Sequence, residues 1–132
     1  MIGEAFMFHL ETKGRGTVGK DLFLSFQPDM PDDCIVVYDT SPPVLDESQG
    51  LQVDNMTCQV LVRNTDYLQA RDTIAAIHRD IVGYDGKMGD FDVTAVFIDQ
   101  APASIGQDEK GRAEWSAHYR FRVISTGDTF RI

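Results

Sequence analysis

The chain has 132 residues, a length that suits one domain around one core. Its formal net charge is −9, so the surface as a whole is a poor ligand for a nucleic-acid backbone, although a local basic strip is not excluded. No apolar run approaches the length of a membrane span, and Cys34 and Cys58 have neither CxxC spacing nor a histidine partner, so they read as reduced, buried thiols rather than zinc ligands.

Taken in order, residues 2–11 form a short helix. Ile2, Ala5, Phe6 and His9 share one stripe, while Met7, Phe8 and Leu10 fall elsewhere. A helix apolar on more than one face either lies deep in the fold or meets another subunit. Glu4 and His9, with no basic start, set it apart from an export signal. Gly14, Gly16 and Gly19 surround Arg15 and Lys20, but no GK[ST] follows and the order is helix then strand. This reads as a turn rather than a phosphate loop. Residues 21–27 read as a strand with Leu22, Leu24 and Phe26 on one face, and Pro28 and Pro31 with the acids between them form a turn. Residues 34–38 are apolar on both faces, as in an interior strand.

Residues 39–56 form the longest segment without periodicity, with Val44, Leu45, Leu51 and Val53 scattered through it, as in a loop that a partner orders. The centre of the chain is the strand–helix unit of residues 57–83. Cys58, Gln59, Val60, Leu61, Val62 and Arg63 make the strand, and Asp66 with Gln69 resembles a reciprocal helix cap. Tyr67, Ala70, Ile74, Ile77 and Ile81 recur at steps of three and four, and Gly83 stands where a left-handed helix end wants glycine. Residues 84–90 read as a polar connection, 93–98 as a strand and 99–111 as a loop. In residues 113–124, Trp115, Ala117, Tyr119, Phe121 and Val123 take one face of a last strand, and Glu114, Ser116, His118, Arg120 and Arg122 take the other. A short tail, 126–132, follows. The pattern predicts a single α+β domain: a mainly antiparallel or mixed sheet of about five strands, with two helices packed on it.

Chemistry-bearing clusters are sparse. Asp29, Asp32, Asp33 and Asp39 gather around the second strand without calcium-loop spacing; a metal-dependent hydrolase built on Asp32 and Asp33 is the enzymatic alternative. Ser116 and His118 share a strand face, but there is no GxSxG elbow, and the three histidines lie on three different elements. Arg63, Arg120 and Arg122 form a basic stripe if their strands are neighbours, facing acids of this chain or of a copy. No catalytic residue, cofactor or metal ligand stands out. A generic binding module with its ligand on the sheet has no specific signal in its favour.

Four stretches together resemble the small tail-terminator, or tail-completion, proteins of long-tailed bacteriophages, some of which are labelled minor capsid proteins. They are GRGTVGKDLFLSF from Gly14, PDMPDDCIVVYDT from Pro28, QVLVR from Gln59 and IGQDEKGRAEWSAHYRFRV from Ile105. They cover most of the chain, and none is diagnostic alone. The resemblance implies a mixed α/β domain without catalytic residues, spanning residues 1–132. It also implies a six-membered ring that caps the tail tube, stops its polymerisation and offers a surface for head attachment. The implied partners are copies of itself, the tail-tube protein and a head-completion or neck protein, with DNA passing through unbound and no membrane. The implied setting is the virion, with host cytoplasm during assembly. A neck or head-completion protein on the portal side is the alternative within the same class. The expected interface residues are Phe6, Val44, Leu45, Leu51, Arg63, Arg120 and Arg122, from the apolar first helix, the long loop and the polar strand face.

Overall fold

The strand at residues 113–125 organises the molecule. In the computed structural model, which describes residues 2–40 and 52–125, the elements are α1 (Ile2–Thr12), β1 (Leu22–Leu24), β2 (Cys34–Asp39), β3 (Gln52–Asn64), α2 (Tyr67–Ile81), β4 (Gly86–Met88), β5 (Phe91–Gln107) and β6 (Ala113–Ser125). They form one six-stranded sheet in the order β1-β2-β3-β6-β5-β4. Only β1 and β2 pair in parallel; every other neighbouring pair is antiparallel. β6 is flanked along its length by β3 and β5, so its alternation is read out on two buried seams.

The odd-numbered face of β6 makes the core. Trp115, Ala117, Tyr119 and Phe121 stand opposite Val62, Val60, Cys58 and Met56 of β3, and Ile35 and Val37 of β2 extend the same face. Both helices lie on it. Phe6 of α1 is fully buried, with its ring 6.2 Å from Tyr119 and 5.4 Å from Phe121 in edge-to-face contacts. α2 buries Ala70, Ile74, Ile77 and Ile81, the apolar stripe read from the sequence, each isoleucine contributing about 1.5–3 kcal/mol. Its cap is half as expected. Asp66 accepts from Leu68 N and Gln69 N, but the Asp66 N–H goes to Asn64 Oδ1 instead of Gln69. Gly83, at φ 76°, takes the left-handed conformation that closes the helix.

The start of α1 is fixed by a close approach. Gly3 N donates to Asp39 Oδ2 at 3.3 Å, and a Cβ at Gly3 would lie 2.9 Å from that carboxyl group. Burial raises the Asp39 pKa, and the Gly3 bond at the helix start opposes it.

Four expectations change. β1 stops at Leu24 because Ser25 adopts φ 54°, so Phe26 leaves the face of Leu22 and is 61% exposed. Residues 52–56, read as loop, belong to β3. Residues 84–90 hold a sixth strand, β4, which turns back through Gly89 into β5; Gly89 sits where a Cβ would be 3.1 Å from the Ala5 Cβ. Residues 99–107, also read as loop, continue β5. Three register shifts against β6 between Ile98 and Gly106, with Pro102 among them, erase the period-two pattern there.

Two histidines tie the helices to this core. His9 packs edge-on against Tyr84, and His78 Nδ1 shares a 2.6 Å hydrogen bond with the Tyr119 hydroxyl. Burial lowers both pKa values, with Lys13 adding to the effect at His9. Below the ordinary value of 6.5 the unfolded chain takes up protons that the native state refuses. This stability is therefore fully present above about pH 6.5 and is lost as pH falls through the lowered native values. The urea midpoint should decline below pH 6.5 and decline less steeply in a His9→Gln/His78→Gln variant. Phe6→Ala should cost about 3–5 kcal/mol by urea titration with little change in slope.

Candidate assembly surfaces

The connection from β1 to β2, residues 25–33, must run back along the sheet because the two strands are parallel neighbours. It lies over the face opposite the helices. Gln27 Nε2 donates to Glu114 Oε2 at 2.8 Å, and Arg63 and Arg112 hold the rest. Arg63 is buried and donates to three main-chain carbonyls, of Asp32 at 3.0 Å, Pro31 at 2.6 Å and Asp29 at 3.3 Å. Arg112, also buried, donates to the Asp29 carbonyl at 2.5 Å and pairs with Asp29 and Asp32 at 3.2 Å and with Asp108 at 2.7 Å. Lys110 Nζ reaches Asp29 at 2.5 Å, and Asp33 Oδ1 accepts from Thr65 N at 2.9 Å. The Lys110 hydrogen bond, with help from Arg112, holds the Asp29 carboxyl below its ordinary value. At Asp108, burial pushes upward, but bonds from Arg112 and Lys110 outweigh it and the net shift is down. Beneath this cover Cys34, Val36, Leu61 and Ser116 are buried on the second face of the sheet.

The acidic cluster is thus arranged as ion pairs and caps. Among the described residues no group of three or more histidine, cysteine or acidic side chains is placed to hold a metal ion. The Ser116 hydroxyl accepts from Gln59 Nε2 at 2.9 Å.

Of the expected interface residues, Phe6 is a core residue of its own chain, since packing on Tyr119 and Phe121 leaves none of its surface exposed. Arg63 is likewise committed to loop carbonyls. It stands opposite Glu114, at the far end of the sheet from Arg120 and Arg122, so the three-arginine stripe does not form. Arg120 and Arg122 share the polar face, opposite Thr57 and Asn55. Arg120 lies 4.7 Å from the Phe97 ring centre and 3.6 Å from Asp99, and Arg122 is exposed. Val44, Leu45 and Leu51 lie outside the described residues.

Sequence reasoning missed the role of Arg112, whose partners Asp29 and Asp32 stand about 80 positions away. It also missed a groove of about 360 Å³ between α1 and the β4–β5 hairpin. Ala5, Phe8, Lys87, Met88 and Phe91 line it, with Glu4 and Asp90 on its rim.

These features describe an α+β domain whose acidic cluster is paired with arginines that hold a loop, and whose open surface is grooves and strand faces. A family model described as "Bacteriophage tail terminator protein" matches residues 9–123. The chain belongs to that family and is a phage tail structural protein. Among solved structures, a chain of the "Virion of native gene transfer agent (GTA) particle" has a similar fold. Its TM-score is 0.55 at 13% identity, covering 81% of each chain. A search of curated proteins gave no match.

Replacing Arg63 by Met should release the loop at residues 29–32. Limited proteolysis should cut there faster than in the parent chain, with far-UV circular dichroism unchanged. The Asp29 and Asp108 pairing is present above their ordinary pKa of 3.8 and is lost as pH falls through the lowered native values, so loop cleavage should rise in that acid window.

Proposed function

We propose that this chain, working as one domain over residues 1–132, joins copies of itself in a ring, expected to be sixfold. The ring caps the phage tail tube, stops its polymerisation and presents a surface to head-completion proteins. The observation that carries this reading is the family match across residues 9–123. The fold likeness to a chain of a virion particle agrees with it.

In this reading the protein has no catalytic role and resides in the virion, after assembly in host cytoplasm. No helix among the described residues is long and apolar enough to cross a membrane. A net charge of −9 suits a passage that DNA crosses without sticking. Arg122, exposed, and Arg120, half-buried against Phe97 and Asp99, lie on the polar face where acids of a neighbouring copy would meet them, with Val44, Leu45 and Leu51 as further contacts. A head-to-tail ring uses two different patches per subunit, and the rotation must close.

The test is tube growth. Tail-tube protein polymerised with the purified chain should stop at defined lengths, with a ring of extra density at one end in electron micrographs. The Arg120→Glu/Arg122→Glu variant and a deletion of residues 44–51 should each lose ring mass by light scattering. Tubes of unchanged length with the parent protein would refute the capping role. Intact rings in either variant would remove that patch from the contact.

A further inference from the structure

The amino end of α1 rests on a carboxyl group that it only half satisfies. Asp39 closes β2, and its Oδ2 accepts from Gly3 N at 3.3 Å. Among the described residues that is the one hydrogen bond the carboxyl group makes, and its Oδ1 is buried with no partner. The approach admits only glycine, because a Cβ at residue 3 would meet the Asp39 Cγ and Oδ2 at 2.9 Å. Ile2 and Gly3 are themselves buried, so the first turn of α1 is part of what keeps water from this group.

The surroundings do little for a charge. Across the β2–β3 ladder stands Cys58, fully buried, whose thiol is kept protonated by burial and by the Asp39 charge itself. The charges that act on Asp39 are Glu4 of α1, of the same sign, and the chain's amino terminus, of the opposite sign. The Asp39 main-chain N–H turns away to Ser25 Oγ. Burial outweighs the Gly3 bond and the amino terminus, and the carboxyl group holds its proton above the ordinary 3.8.

This couples ionisation to the docking of one helical turn. When the first turn lifts, Asp39 meets water and regains its ordinary acidity. A group that is less acidic in the closed form binds its proton more tightly there, so protonation favours closure and ionisation favours opening. The stabilisation of the closed turn is fully present below pH 3.8 and is lost as pH rises through the raised native value. Its sign is opposite to that of His9 and His78, whose contribution is lost as pH falls.

We infer that Asp39 is a proton-operated latch on the amino end of α1: neutral, it holds the first turn down, and ionised, it biases that turn towards release. The latch acts within one chain and does not depend on the ring reading above.

The first measurement is on the parent chain. The Asp39 carboxyl carbon, followed by NMR against pH, should titrate above 3.8. The Gly3 amide, bonded to Asp39, and the Phe6 and Met7 amides, bonded within the first turns of α1, should exchange with deuterium faster than those of Tyr119 and Phe121, through opening of the turn rather than of the whole fold. The second measurement uses Asp39→Asn, which keeps an acceptor for Gly3 N and cannot ionise. At neutral pH its α1 amides should exchange more slowly than the parent's, by about tenfold for each unit by which the Asp39 midpoint exceeds 3.8. As pH falls towards 3.8, the protection of the parent should approach that of the variant. An Asp39 midpoint at or below 3.8, α1 amides that exchange no faster than those of β6, or a variant that exchanges as fast as the parent at every pH would each overturn the latch. If the variant does not fold, the carboxyl midpoint and the exchange of the parent chain decide the matter alone.

Discussion

The apolar face of β6 is the constraint on which the rest depends. Its odd-numbered side chains, Trp115 to Val123, are too large and too apolar to face water, and β3 and β5 on either side leave only the space above the sheet. α1 and α2 fill that space from two directions. Phe6 locks onto two aromatic rings, and the α2 stripe covers the neighbouring strands. The position of β2 follows, because Ile35 and Val37 complete the same face, and with it the position of Asp39 under the start of α1.

The second face of the sheet is solved differently. Among the described residues no helix lies on it, yet Val36, Leu61 and Ser116 are buried there. The cover is a loop, and a loop brings its own unpaired carbonyls, which must be satisfied wherever water is excluded. Two guanidinium groups supply donors in a fixed fork. A lysine would offer a point charge and could not span three carbonyls as Arg63 does. The arrangement turns an acidic, proline-containing segment into a defined surface in a chain that otherwise has an excess of negative charge.

Local signals made much of this fold readable in the sequence. The α2 stripe, Asp66 at its start and Gly83 at its end all act within one or two turns, and the alternation of β6 survives because that strand is regular. The misreadings have physical causes. The Leu22, Leu24, Phe26 alternation looks like a longer strand, but the backbone turns at Ser25. The distal half of β5 loses its period at each register shift, and β4 is too short to carry one. Of the expected contact residues, Arg120 and Arg122 lie together on the polar face, as β6 alternation requires. Arg63 goes elsewhere because the loop that it serves is distant in sequence, and Phe6 is drawn inward by aromatic partners that no single helix pattern specifies. Pairings that span 30 or 80 positions leave no spacing to read.

The broken margin of β5 has a consequence for the way this sheet ends. Among the described residues β4 shields only its first three positions, and the remainder has at most a four-residue run in steady step with β6, from Ala95 to Ile98, which ends at the register shift before Gln100. A foreign strand laid along that margin finds missing teeth where a zipper needs them. That margin is therefore a poor template for edge-to-edge pairing with another strand.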